Sequence, residues 1–228
     1  MSVIGVPLFY FVVICLMFDY YFFDLDGTLT NPALGITNSF KHALNELGLE
    51  IPSYEQLCSY IGPPLIATFK KFYNYNDEQA AIGVKKYREY FAHKGLFENE
   101  VYEGIEELLE YLKSKDKHLV VATSKPEPYA KQILEHFNLA KYFDYICGSN
   151  LDETRSKKGE VIAYALETCG NPDKSKVLMI GDREHDIIGA KENNLKSCGV
   201  LFGFGSREEL EKAGADYIAE KVKDLERI

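Results

Sequence analysis

Cysteine is scarce in this chain of 228 residues, and no two cysteines form a C-x-x-C pair. The five cysteines are spread between Cys15 and Cys198. This distribution argues against a disulfide framework and against a structural zinc site. We therefore expect small buried thiols in a reducing compartment, and we expect the protein to be cytoplasmic.

Basic residues are fewer than acidic ones. The chain has 26 Lys and Arg against 35 Asp and Glu, which gives a net charge of −9. Binding a nucleic-acid backbone without a cation needs a surplus of basic side chains, so we expect no nucleic-acid partner. An acidic protein that handles phosphate groups is expected to recruit a metal ion. The hydrophobic fraction of 46% excludes a disordered chain.

A membrane-spanning run is missing too. Residues 3–18 are apolar apart from Gly5 and Pro7, but the run is shorter than the roughly 20 residues that cross a bilayer. No Lys or Arg precedes it, unlike a secretory signal. We expect residues 1–16 to be an N-terminal hydrophobic extension with no part in the chemistry, since Met17 stands where such a chain could begin. A short membrane-associating or partner-docking segment is the alternative.

Short apolar runs recur between segments with helical spacing, at residues 20–23, 119–122, 145–147, 177–180 and 198–201. Such runs are typical of parallel strands covered on both faces. The pattern predicts an α/β fold, a Rossmann-like doubly wound parallel sheet. Residues 32–98 instead resemble several helices, so we expect a small α-helical cap inserted into a core formed by residues 17–31 and 99–228. Asn31-Pro32 and residues 98–103 would be its hinges.

Two carboxylates follow the first predicted strand, in residues 24–30 (DLDGTLT). Asp24 and Asp26 are two apart, so an extended chain places them on the same side, where crowding favours a shared cation or proton. Gly27 permits a sharp turn and a close approach to a ligand. An acidic turn is the simpler interpretation, but open α/β sheets bind ligands at this end of their strands.

Two later predicted strands end in polar residues as well. Thr123 and Ser124 precede a predicted helix and could hold a phosphate, and a common Thr/Ser helix cap is the alternative. Asp182 and Asp186 follow the strand at 177–180, four apart at a predicted helix start. Lys158 also lies at a helix start, where a cation is unfavourable unless an anion is nearby. Its neighbour Lys157 leaves a solvated basic surface as the alternative.

Together these segments resemble the four motifs of the haloacid dehalogenase superfamily of phosphohydrolases. The motifs are DLDGTLT at 24–30, VATSK at 121–125, Lys158 ahead of residues 160–162 (EVI), and GDREHD at 181–186. Their order and spacing match over residues 20–228. Residues 61–65 (IGPPL) and 148–158 further resemble the branch of phosphoglycolate-phosphatase-like and 5′-nucleotidase-like enzymes.

This resemblance implies a Mg²⁺-dependent phosphatase that works through an aspartyl-phosphate intermediate. Asp24 would be the nucleophile, and Asp26 would protonate the leaving oxygen and then take a proton from water. The resemblance places Mg²⁺ on the carboxylates of Asp24 and Asp182 and on the backbone carbonyl of Asp26. Oxygen ligands suit this hard cation.

The remaining motif residues acquire roles from the same resemblance. Thr123 and the backbone N–H of Ser124 would bind the phosphoryl oxygens, and Lys158 would act as a catalytic and phosphate-binding cation. Asp186 would lie behind the metal ligands and orient them or a water molecule. Lys125 and Arg155 are candidate contacts for a substrate carboxylate or a second phosphate.

The substrate class stays open within limits. The resemblance implies a small phosphorylated metabolite or a nucleotide, either phosphoglycolate-like or a nucleoside 5′-monophosphate. Pyrophosphate hydrolysis and a β-phosphoglucomutase-like phosphotransfer are alternatives. A further alternative is a binding protein whose active site has lost its activity. The presence of all the motif residues together argues against it.

Overall fold

Strands and helices alternate along residues 17–152 and 154–228, which this computed structural model describes. The strands are β1 (Tyr20–Phe23), β2 (Thr30–Asn31), β3 (Glu100–Val101), β4 (His118–Pro126), β5 (Tyr145–Ser149), β6 (Val177–Gly181), β7 (Lys196–Val200) and β8 (Tyr217–Ala219). The α-helices are α1 (Ala33–Glu46), α2 (Tyr54–Cys58), α3 (Leu65–Tyr73), α4 (Asp77–Tyr90), α5 (Ile105–Ser114), α6 (Glu127–His136), α7 (Lys158–Thr168), α8 (Glu184–Glu192) and α9 (Arg207–Ala213). The extension predicted over residues 1–16 lies outside the described residues.

Six strands form one sheet in the order β5-β4-β1-β6-β7-β8, and every neighbouring pair is parallel. In the register of the central strands, Phe23 of β1 lies beside Val121 of β4 and Ile180 of β6. The carboxyl ends of these three strands therefore meet at one edge. The predicted α/β doubly wound fold is confirmed.

The sheet is covered on both faces, which explains the almost wholly apolar strands. Alternate side chains of a strand point to opposite faces. Tyr21 and Phe23 accordingly join the core cluster that contains α5 and α6, and Phe22 joins the one that contains α7 and α8. All three side chains are fully buried. Burying a large apolar side chain contributes about 1.5–3 kcal/mol, so these short strands are stabilised from both sides.

Helices α1 to α4 form a helical insert between β2 and β3, and they pack on one another. Phe40 of α1 lies at the centre of this insert. The rings of Tyr60, Phe69 and Tyr87 surround it, with centroid separations of 5.1, 5.6 and 4.9 Å. These rings form the centre of the insert, and they are continuous with the core cluster that contains α5 and α6.

Three strands were not predicted from the sequence. β2 and β3 pair antiparallel at the two junctions of the insert, Thr30 with Val101 and Asn31 with Glu100, where we expected only hinges. β8 completes the edge of the main sheet. Strands of two or three residues are too short to show an alternating pattern.

Within the part of the chain that the structure describes, no helix is long and apolar enough to span a bilayer.

Candidate active site

The turn after β1 carries Asp24 into the interior at the carboxyl edge of the sheet. The backbone N–H of Asp24 still bonds the carbonyl of Ile180, and its carboxylate accepts a bond of 2.7 Å from the N–H of Leu25. Gly27 adopts a φ of +83°, which favours glycine, and a Cβ there would overlap the carboxylate of Asp182. This close approach to Asp182 is the structural reason for glycine in the motif.

Asp26 forms an ion pair that sequence reasoning did not predict. Its Oδ2 lies 2.5 Å from Nζ of Lys125, and both side chains are largely buried. The Lys125 ammonium also lies 4.8 Å from the centre of the Phe91 ring, which belongs to the insert. Burial raises the pKa of the Asp26 carboxyl, while Lys125 opposes the rise. Oδ1 of Asp26 is buried with no hydrogen-bond partner.

Three carboxylates from two adjacent strand ends form a buried cluster. Oxygens of Asp24, Asp182 and Asp186 lie within 4.8 Å of one another. Asp182 directly follows β6, and its Oδ2 accepts a bond of 2.8 Å from the N–H of Phe204. Its Oδ1 is buried without a hydrogen-bond partner. Asp186, which we expect to lie behind the metal ligands, is close enough to both aspartates to belong to this cluster.

Lys158 supplies the positive charge within this cluster. Its Nζ lies 2.8 Å from Asp24 Oδ1 and 2.8 Å from Asp186 Oδ1, and it donates to the carbonyl of Ala122. Burial alone would lower the pKa of Lys158, but the charges of Asp186 and Asp24 raise it, so the ammonium stays protonated. Lys157, one residue earlier, is exposed.

Burial has the largest effect on the pKa of the other two carboxyls of the cluster, those of Asp182 and Asp186. It raises the pKa of Asp182 well above its ordinary value, and the charge of Asp186 adds to the rise. It raises the pKa of Asp186 to about 6, against the opposing charge of Lys158. Among the described residues, Lys158 pairs with two of these three carboxylates, Asp24 and Asp186, so the cluster favours a further cation.

Thr123 and Ser124 lie at the end of β4, beside the turn that carries Asp24. Thr123 is buried, and its hydroxyl accepts a bond of 3.2 Å from the N–H of Lys125. The carbonyl of Ser124 accepts a bond of 2.8 Å from the hydroxyl of Ser149. The pairing of β4 with β5 is irregular between Ala122 and Pro126, because this stretch bends before α6 begins.

A cleft opens between the core and the insert. The core lines it with residues that include Asp24, Asp26, Thr123, Ser124, Lys125 and Tyr129; the insert contributes Ile36, Tyr60, Leu65, Tyr87, Arg88, Phe91 and the loop at residues 62–64. The predicted nucleophile Asp24 and the predicted phosphate-binding residues Thr123 and Ser124 therefore share one cavity, whereas Lys158 and Asp182 do not line it.

Arg155 does not line this cleft, contrary to its suggested part in substrate contact. Its guanidinium lies 3.8 Å from the centre of the Tyr164 ring. It also donates to the carbonyl of Gly148 and to the side chain of Asn150. These contacts hold the loop after β5 in place.

Comparison with known proteins agrees with this geometry. The family model for haloacid dehalogenase-like hydrolases matches residues 21–200. The chain belongs to this family, and the prediction of a phosphoric monoester hydrolase is confirmed.

Individual relatives are similar over most of the chain. A 5′-nucleotidase of Pseudomonas aeruginosa is 46% identical over 188 residues, covering 82% of this chain and 85% of that protein. The tyrosine-protein kinase PtkA of Mycobacterium tuberculosis is 36% identical over 196 residues, covering 86% of this chain and 66% of the kinase. The crystal structure of a predicted phosphatase from Clostridium acetobutylicum is 51% identical with a TM-score of 0.90, covering 93% of this chain and 98% of that one.

Proposed function

We propose that this phosphatase hydrolyses phosphate monoesters of small metabolites in a Mg²⁺-dependent reaction that passes through a phosphorylated Asp24. One observation carries the proposal. The Asp24 carboxylate lies both in the buried cluster with Asp182, Asp186 and Lys158 and on the wall of the cleft between core and insert. The proposed nucleophile therefore lies next to charges that can neutralise it and faces a cleft that can admit a substrate.

The residues at the carboxylate cluster fit a magnesium ion. Carboxylate oxygens are the hard donors that Mg²⁺ prefers, and Oδ1 of Asp182 is buried without a hydrogen-bond partner. We propose that the carboxylates of Asp24 and Asp182 hold the ion with the backbone carbonyl of Asp26. When bound, Mg²⁺ would neutralise charge on the phosphate oxygens, so that an anionic nucleophile can approach.

In the proposed reaction, an oxygen of Asp24 attacks phosphorus, and the bond from phosphorus to the leaving oxygen breaks. Asp26, whose pKa burial raises, donates a proton to that oxygen. It then takes a proton from the water that hydrolyses the phosphoaspartate, which releases inorganic phosphate and restores Asp24. Lys158, Thr123 and the N–H of Ser124 stabilise the charge on the transferring group.

Magnesium binding can be tested without turnover. We expect saturating Mg²⁺ to raise the midpoint of thermal unfolding by about 5–10 °C, because an ion that binds only the folded state at 100 times its dissociation constant contributes about 2.7 kcal/mol. Asp182→Asn should lose most of this shift. Asp173→Asn, at the exposed residue before the other end of β6, should keep it. Equal shifts of the unfolding midpoint in both variants would show that Asp182 does not bind the metal.

Turnover itself is tested with the purified chain and a panel of phosphate esters. We expect phosphate release with Mg²⁺, loss of release with EDTA, and recovery when Mg²⁺ is restored. Rates that do not depend on the metal would contradict the proposal. Transfer of the phosphoryl group to a sugar acceptor instead of water would favour the phosphotransferase alternative, and no turnover of any ester would favour a retired site.

The lining of the cleft favours a nucleoside 5′-monophosphate over phosphoglycolate. A phosphoglycolate leaving group carries a carboxylate, which needs a cation, and Lys125, the cation beside the proposed catalytic residues, is paired with the carboxylate of Asp26. Arg88, in the insert, donates to the carbonyl of Leu151 and keeps its charge, so the preference rests on the apolar lining. Apolar and aromatic side chains such as Leu65 and Tyr129 instead suit an uncharged, planar leaving group.

We therefore expect kcat/KM for nucleoside 5′-monophosphates to exceed that for phosphoglycolate at least about tenfold. Tyr129→Leu should lower the value for nucleotides by about tenfold, because an aromatic contact with a base is worth about 1–3 kcal/mol. It should leave phosphoglycolate hydrolysis nearly unchanged. Tyr145→Leu, at an exposed tyrosine in β5, is the matched control. A preference for phosphoglycolate in the wild-type enzyme would refute this specificity.

A further inference from the structure

Arg183 joins the carboxylate-bearing loop of the core to the helical insert. It stands between Asp182 and the first turn of α8. Its Nη1 donates to the carbonyl of Ile61, in the loop between α2 and α3. Its Nε lies 2.8 Å from Oε1 of Glu209 in α9. One guanidinium thus contacts both parts of the molecule, and the mechanism above does not use it.

The loop that Arg183 holds is part of the cleft wall. Gly62, Pro63 and Pro64 follow Ile61 directly and line the cleft. Gly62 adopts a φ of +107°, and a Cβ there would lie 3.1 Å from Cγ of Arg183, so the loop and the arginine pack closely. Two consecutive prolines restrict the backbone, so the position of the Ile61 carbonyl determines where this wall stands.

Glu209, in the core, holds the Arg183 side chain in place. Its Oε1 accepts from Nε of Arg183 and, at 2.9 Å, from the backbone N–H of Glu184. The side chains of Arg183 and Glu209 are only 16% and 22% exposed, so solvent screens this pair less than a surface ion pair. The backbone N–H of Arg183 separately donates to Asp186, and this bond would survive replacement of the side chain.

We propose that Arg183 is a positioning residue that clamps the loop at residues 61–64 against the core, with Glu209 as its anchor, and so holds the wall of the cleft against the leaving group of the substrate. This inference rests on the proposed phosphatase function. The guanidinium does not reach the reacting atoms in this arrangement. Its effect should therefore fall on substrate binding and not on hydrolysis of the phosphorylated enzyme.

Arg183→Gln tests the clamp. We expect KM for a nucleoside monophosphate to rise about tenfold while kcat changes less than about twofold, because a lost hydrogen bond from a charged group costs about that factor. Methyl phosphate, which has almost no leaving group to contact, should be affected far less. Amide hydrogen exchange at residues 60–62 should accelerate about tenfold. Arg207→Gln removes an arginine that pairs with two glutamates in and near α9 and should change none of these values.

Glu209→Gln is the second variant, with Glu211→Gln on the same helix as its control. It should shift KM and exchange in the same direction as Arg183→Gln, by a smaller factor. Equal behaviour of Arg183→Gln and Arg207→Gln would overturn the clamp, and so would a fall in kcat for every ester without faster exchange. If the wild-type chain hydrolyses no ester, the proposed function fails, and the exchange data alone decide whether Arg183 holds the loop.

Discussion

Replacing Asp24 with Asn should lower kcat/KM by at least about 10⁴-fold for every substrate, because an amide cannot displace the leaving group from phosphorus. Asparagine has the size of aspartate and can still accept the bond from the N–H of Leu25. Lys158 keeps its contact with Asp186. The substitution therefore removes the reacting oxygen with little rearrangement, and steady-state kinetics measure the loss directly.

Rapid acid quenching gives a second measure of the same claim. With labelled substrate, the wild-type protein should carry a phosphoryl group bonded to Asp24, and the asparagine variant should carry none. Asp19→Asn is the matched control, because Asp19 is an exposed aspartate at the opposite end of β1. If Asp24→Asn keeps more than about a tenth of the wild-type rate, the nucleophile is a different group.

Where the proposed site residues lie in the fold could be predicted because their positions depend on local patterns. Asp24 and Asp182 each follow an apolar run directly, and the ends of parallel strands share one edge of a sheet. Strand order has no such local signature. That β1 lies between β4 and β6 emerges only from packing, and this order brings Asp24, Thr123 and Asp182 together.

The contacts that the sequence did not reveal join elements far apart in the chain. Lys125 meets Asp26, and Arg183 meets Ile61, across separations of 99 and 122 residues. Both contacts depend on how the insert and the neighbouring strand pack against the core. The spacing of apolar residues in the sequence gives no information about that packing. The four-residue spacing from Asp182 also did not reveal that a carboxylate oxygen of Asp186 lies within 4.8 Å of those of Asp24 and Asp182.

Lys157 and Lys158 are adjacent in the sequence but differ in burial and in the residues they contact. Charge at a predicted helix start could not separate them, and only the family resemblance singled out Lys158. In the structure, Lys157 precedes the first turn of α7 and is exposed, while Lys158 turns inward to Asp24 and Asp186. The buried lysine balances two buried carboxylates, which would otherwise repel each other.

Lys158→Met should therefore strongly reduce both stability and activity. Methionine has a similar length but no charge, so it leaves Asp24 and Asp186 without their shared cation. Removing one partner of a buried ion pair costs about 3–5 kcal/mol, which corresponds to a fall of about 10 °C in the midpoint of thermal unfolding for a chain of this size. Turnover should fall about 10²- to 10³-fold, because a charge that stabilises the transferring group is lost.

Calorimetry of the metal-free protein measures the stability effect without interference from bound ions, and Lys157→Met provides the control one residue away. Lys157→Met should unfold within about 1 °C of the wild type, since substitutions at exposed positions usually change stability by less than about 0.5 kcal/mol. Adding Mg²⁺ should recover part of the stability of Lys158→Met, because a second cation can take over the neutralisation of Asp24. Recovery of stability without recovery of turnover would separate the structural role of Lys158 from its contact with the phosphoryl group. Equal midpoints for the two methionine variants would mean that the buried ion pairs contribute nothing to the fold.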